Sequence, residues 1–116
     1  MSPFTRVCSL DDVPVGGALA VEVDSTDVAV VRTDDGVYAI RDECSHAAVP
    51  LSEGEIDAGS CEIECWLHGS MFDLRTGKPT GLPATEPVAV YPCTVDGTDV
   101  LVDVGRPIND TNDTEN

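Results

Sequence analysis

Aromatic side chains are scarce in this chain of 116 residues, which has one Trp, two Tyr and two Phe. A core must therefore be built mainly from Val, Ala, Leu and Ile. Bases are also few, with 6 Lys and Arg against 22 Asp and Glu and a formal net charge of −16. Nucleic-acid phosphates and anionic membrane surfaces repel such a chain, so neither is an expected partner. The same charge suits solubility as well as it suits docking to a basic protein. No apolar run approaches the length of about 18 residues that spans a bilayer. The stretch Met1-Ser2-Pro3-Phe4-Thr5-Arg6 lacks the basic and then apolar pattern of an export signal, so a cytoplasmic location is expected. Five cysteines are present, an odd number, and cytosolic thiols stay reduced; metal ligation is a better expectation than a disulfide framework. Cys61 and Cys65, on one face of a short strand, would lie about 13 Å apart, beyond disulfide reach.

What is present is a series of short β-branched runs: Thr5 to Cys8, Ala18 to Val23, Val28 to Arg32, Val37 to Arg41, Cys61 to Cys65, Val88 to Val95 and Val100 to Val104. The pattern predicts an all-β protein. Asp34-Asp35-Gly36 and Asp96-Gly97-Thr98 predict hairpins, because Asp and Gly accept the positive φ angles of tight turns. Asp11-Asp12-Val13 opens a helical turn that Pro14 and Gly16-Gly17 keep short. The size predicts one domain over residues 1–105. The polar, acidic tail 106–116 has too little apolar surface to offset the entropy of ordering, and is expected to be disordered and solubilising.

Between residues 42 and 87 the strand pattern gives way to Gly, Pro and Ser, and the chemistry lies there. Cys44-Ser45-His46 is followed, after 18 intervening residues, by Cys65-Trp66-Leu67-His68. Thiolate and imidazole one or two residues apart on a tight loop reach a common metal centre, and two such loops supply four ligands. The chain has only two histidines, and both fall in these pairs. Structural zinc and an iron–sulfur centre are both open to such a set.

Cys-x-His followed by Cys-x-x-His-Gly-Ser resembles the ligand signature of Rieske [2Fe–2S] proteins. The resemblance runs over roughly residues 4–104 and includes Val37-Tyr38-Ala39-Ile40, Leu51-Ser52-Glu53-Gly54, Gly69-Ser70-Met71-Phe72-Asp73 and Thr76-Gly77. It implies stacked antiparallel sheets with a cluster-binding subdomain over about residues 43–83. It also implies one [2Fe–2S] cluster, with Cys44 and Cys65 on the inner iron and His46 and His68 on the outer. Two ferric ions, two sulfides and two thiolates sum to zero charge, which makes such a centre easier to reduce than one with four thiolates. Histidine ligation also implies an alkaline pH dependence of the potential.

High-potential relatives carry a disulfide between the two loops and a tyrosine near a ligand sulfur. Here Val49, Leu67 and Phe72 occupy those places, so a potential at the low end, near about −150 mV, is expected. Chains of this size without the disulfide resemble the ferredoxin components of bacterial multicomponent oxygenases. The resemblance therefore implies a monomeric electron-transfer protein, not an enzyme, that receives electrons from a ferredoxin reductase and passes them to a terminal oxygenase or similar acceptor. An oxygenase in its own right would need two more histidines for a mononuclear iron, and none remains. A redox-sensing or regulatory subunit and a structural zinc domain are the alternatives. Further expectations are turn formation at Gly54 and Gly77, close backbone approach at Gly69, a hydrophobic lid from Leu51, Trp66, Leu67 and Pro83, and structural roles for Cys8, Cys61 and Cys93.

Overall fold

A computed structural model describes residues 4–34, 36–43, 49–57, 59, 61–66, 69–80, 87–105 and 108. The strands are β1 (Thr5–Ser9), β2 (Gly17–Val23), β3 (Thr26–Arg32), β4 (Val37–Arg41), β5 (Ile56–Asp57), β6 (Glu62–Glu64), β7 (Met71–Asp73), β8 (Val90–Tyr91), β9 (Cys93–Asp96) and β10 (Asp99–Val102). They form three antiparallel sheets, in the orders β1-β10-β9, β2-β3-β4-β8 and β5-β6-β7. Among the described residues no helix is long and apolar enough to cross a membrane.

The all-β expectation is met, and the reason the layers stack as they do lies in β3. Strands normally alternate between a buried and a wet face, but Val28, Ala29, Val30 and Val31 are all fully buried. Val28 and Val30, with Ala39 of β4 and Tyr91 of β8, pack with Cys8, Val100 and Val102 of the β1-β10-β9 sheet. Ala29 and Val31, with Ile40 and Val90, pack instead with Leu51, Ile63, Cys65, Phe72 and Leu74. The four-stranded sheet is thus the middle layer. One face closes on the first sheet and the other carries the third sheet, all of whose strands fall between β4 and β8 in the chain.

Both expected hairpins form. Thr33 and Gly36 exchange backbone hydrogen bonds between β3 and β4, and Gly97, at φ +66°, turns β9 into β10. A third joins β2 to β3 through Asp24 and Ser25, at φ +51° and +68°. The short helical piece is a single 3-10 turn over Leu10–Asp12. Ser9 and Asp12 cap it reciprocally: the Ser9 hydroxyl accepts from Asp11 N–H, and the Asp12 carboxylate accepts from Ser9 N–H.

Two expected strands are corrected. Val88 to Val95 is not continuous: Pro92, which has no N–H to give a ladder, divides it into β8, paired with β4, and β9, paired with β10. Cys61 to Cys65 shrinks to Glu62–Glu64 because Cys61 sits at φ +60°, outside the strand conformation. Of the tail 106–116, only Ile108 falls within the described residues; its N–H donates to Val90 O at 2.6 Å.

Candidate metal centre

Cys65 follows β6 directly and is fully buried. Its N–H donates to Ser70 O at 2.7 Å, and its carbonyl accepts from Gly69 N–H at 2.9 Å. These two bonds close residues 65–70 into a loop between β6 and β7. Gly69, at φ +79°, supplies the left-handed backbone that lets the loop return. Ser70 is fully buried, and Phe72 and Ile63 face each other beneath the loop as partners on β7 and β6. The thiol is therefore fixed at its backbone on both sides and held against the apolar layer of Leu51, Ile63, Phe72 and Leu74. A soft sulfur donor sequestered at a rigid turn suits thiolate ligation of iron. The other residues of the expected set, Cys44, His46 and His68, lie outside the described residues, as do Leu67 and Pro83.

The borders of the first loop are described. Arg41 pairs with Glu43 at 2.9 Å just before it. Val49 packs partly buried against the same core as Cys65. Leu51 opens a 3-10 turn over Leu51–Glu53 and is fully buried.

Several expected roles are redistributed. Gly54 is not required by a turn, since its φ is −85°; a Cβ there would lie 1.6 Å from the Glu64 carbonyl oxygen, so the close backbone approach belongs to Gly54. Gly69 is the turn former instead, and Gly77, at φ +76°, turns as expected. Leu51 is fully buried and packs in the same core as Cys65. Trp66 is 50% exposed beside the buried Cys65, which puts an aromatic face at the surface of the loop. Cys8, Cys61 and Cys93 are free thiols, the first two buried as expected and Cys93 only partly so.

Sequence reasoning gave no role to Asp42. Its carboxylate accepts from both the N–H and the hydroxyl of Ser52, at 2.6 and 2.8 Å, across the base of the first loop. The two residues lie ten positions apart on either side of the Cys44–His46 segment, a separation at which no local sequence pattern marks the contact.

Comparison with known proteins agrees with this geometry. Residues 4–92 match the family model described as a Rieske [2Fe-2S] domain. The chain is 45% identical over 103 residues to the biphenyl dioxygenase ferredoxin subunit of Pseudomonas sp. strain KKS102, covering 89% of this chain and 94% of that protein. Among solved structures it is similar to the ferredoxin of carbazole 1,9a-dioxygenase from Nocardioides aromaticivorans IC177. That match has a TM-score of 0.83 and 50% identity, over 87% of this chain and 97% of that one. It is also similar to a chain in a complex of reduced oxygenase and oxidised ferredoxin of carbazole 1,9a-dioxygenase, with a TM-score of 0.80 and 35% identity, over 89% of this chain and 94% of that one. Two Cys-His pairs, a buried thiol at a closed hairpin loop and three stacked antiparallel sheets thus have one explanation: the chain belongs to the Rieske [2Fe–2S] family, and is an electron carrier holding one such cluster.

Proposed function

We propose that Cys44, His46, Cys65 and His68 are the four ligands, and that the chain is a low-potential carrier taking single electrons from a ferredoxin reductase to a terminal oxygenase. The observation that carries this reading is Cys65, fully buried at a loop closed by its own backbone bonds, in a Cys-x-x-His-Gly-Ser segment. When bound, the cluster supplies a one-electron couple. The chain's own residues do the rest. Leu51, Ile63, Phe72 and Leu74 exclude water from the inner side of Cys65, and Trp66 offers the tip an apolar contact for a docking protein.

The low potential is supported by Val49 and Phe72, which place apolar groups where high-potential relatives have a sulfur and a hydroxyl, and by the acidic surface, which disfavours added negative charge. The reductase and oxygenase partners are supported by the likeness to ferredoxin subunits of dioxygenase systems and to a chain in a complex of reduced oxygenase and oxidised ferredoxin. Residues 1–105 then act as one domain, with 43–83 as its cluster-binding part, 106–116 as a solubilising tail, and the cytoplasm as its compartment.

The test is the protein as isolated. A red-brown protein with two irons and two sulfides per chain, losing its charge-transfer bands in Cys44→Ser and Cys65→Ser, is the expected result. A colourless protein with one zinc would overturn it. Voltammetry of the loaded protein should place the midpoint near about −150 mV, and a midpoint above about +100 mV would sink the low-potential assignment.

A further inference from the structure

The two ligand-bearing segments are joined by a continuous set of fixed contacts that begins at Asp42. Its N–H donates to Asp27 O at 2.9 Å, which ties it to the middle sheet. Its carboxylate then grips Ser52, ten residues along the chain, through both the backbone N–H and the hydroxyl. A carboxylate that accepts two such bonds holds its partner in position and orientation, because each oxygen is used. Ser52 sits between fully buried Leu51 and a Gly54 pressed against the Glu64 carbonyl. Glu64 N–H donates in turn to Glu55 O at 2.8 Å, and the next residue is Cys65. Asp42 and Ser52, which flank the Cys44–His46 segment, are therefore held to each other, and the contacts run on from Ser52 to Cys65.

We propose that Asp42 and Ser52 are positioning residues that fix the base of the Cys44–His46 loop against the Cys65 hairpin, so that two separate segments present one ligand geometry. The proposal rests on the ligand assignment above. It gives the carboxylate a role in alignment, and neither residue is assigned contact with the metal.

The loaded protein is compared with Asp42→Ala, Asp42→Asn, Ser52→Ala, the Asp42→Ala/Ser52→Ala double variant, and a control, Val100→Ala, which loosens the far sheet. Three quantities are read: bleaching rate under excess chelator, the electron paramagnetic resonance line positions of the reduced protein, and the thermal unfolding midpoint. Asp42→Ala should bleach at least about ten-fold faster and move the resonance lines. Asp42→Asn should stay near wild type, since the amide oxygen still accepts the Ser52 N–H and the hydroxyl can turn to accept from the amide. Ser52→Ala should bleach several-fold faster alone and add nothing to Asp42→Ala, because the two residues act as one contact. Val100→Ala should lower the unfolding midpoint with unmoved resonance lines. Where Asp42→Ala yields no loaded protein, Ser52→Ala and Asp42→Asn carry the comparison. Unmoved lines in Asp42→Ala and Ser52→Ala, or effects of the pair that multiply independently, would overturn the proposal. Failure of the ligand assignment is distinct: Cys44→Ser would then keep the wild-type spectrum whatever the clamp variants do.

Discussion

Two glycines beside Cys65 are constrained for different reasons, and the difference can be measured. At Gly54 the obstacle to a side chain is a backbone carbonyl 1.6 Å from where the Cβ would stand. Relief requires the first loop and β6 to part, so Gly54→Ala should cost about 3 kcal/mol or more. At Gly69 the obstacle is the dihedral angle, φ +79°, with only the end of the Glu64 side chain near at 3.4 Å. Gly69→Ala should cost about 1–2 kcal/mol, the usual penalty for an L-residue in the left-handed region. Urea unfolding of the two variants ranks them, and a Gly54→Ala loss smaller than that of Gly69→Ala would contradict the account. Sequence reasoning assigned these roles the other way round, because a glycine's spelling does not say whether its neighbour or its own backbone demands it.

Among the elements, the turn between β2 and β3 is the least suited to its residues. Asp24 tolerates a positive φ through its short polar side chain, but Ser25, at φ +68°, has less reason to be there. An Asp-Gly turn suits a two-residue hairpin better, so Ser25→Gly should raise stability by about 0.5–1 kcal/mol. A melting temperature at or below wild type would contradict this. That hairpin was missed in the sequence because neither Asp24 nor Ser25 is a glycine, whereas Asp34-Asp35-Gly36 and Asp96-Gly97-Thr98 announced theirs. The long strands were legible from their β-branched runs, and β4 matched residue for residue. β5 and β7 were not, since strands of two and three residues, Ile56–Asp57 and Met71–Asp73, are too short to show a period and owe their existence to pairing with β6. The ligand pairs were legible for the opposite reason: few Cys and His residues at tight spacing carry their chemistry without any period. The Asp42 clamp joins residues from two sides of a loop, and no local pattern records such a contact.

For the molecule as a whole, two conditions should matter. The first is alkaline pH. Burial, with Cys8 nearby, pushes the Cys93 thiol up to about 12 from an ordinary value near 9. Burial also raises Cys8 and Tyr91. Between pH 9 and 12 the folded chain therefore keeps a Cys93 proton that the unfolded chain has lost. The contribution is fully present below about pH 9 and is lost as pH rises toward 12. The melting temperature should fall across that window, and Cys93→Ala should flatten part of the slope; a melting temperature constant from pH 9 to 11 would refute this. Any alkaline change in redox potential is best followed in that variant as well as in wild type. The second condition is salt. With a net charge of −16, association with a basic redox partner should slow at least about ten-fold between low salt and 0.5 M in stopped-flow measurements. A rate indifferent to salt would leave the charge to solubility alone.

Four of the six bases are engaged within the chain. Arg6 pairs with Asp99, Arg41 with Glu43 and Arg75 with Asp73, while Arg32 donates to the carbonyls of Leu10 and Val13. Such a chain pulls an oppositely charged protein in from a distance without telling it which side to approach. With docking at Trp66, as proposed above, encounter and alignment would separate in time: capture by charge would come first, and the captured pair would reorient until the exposed Trp66 ring met its seat. The overall speed of electron delivery would be limited by that reorientation, and a partner would gain more from a better socket for one indole than from additional positive charge.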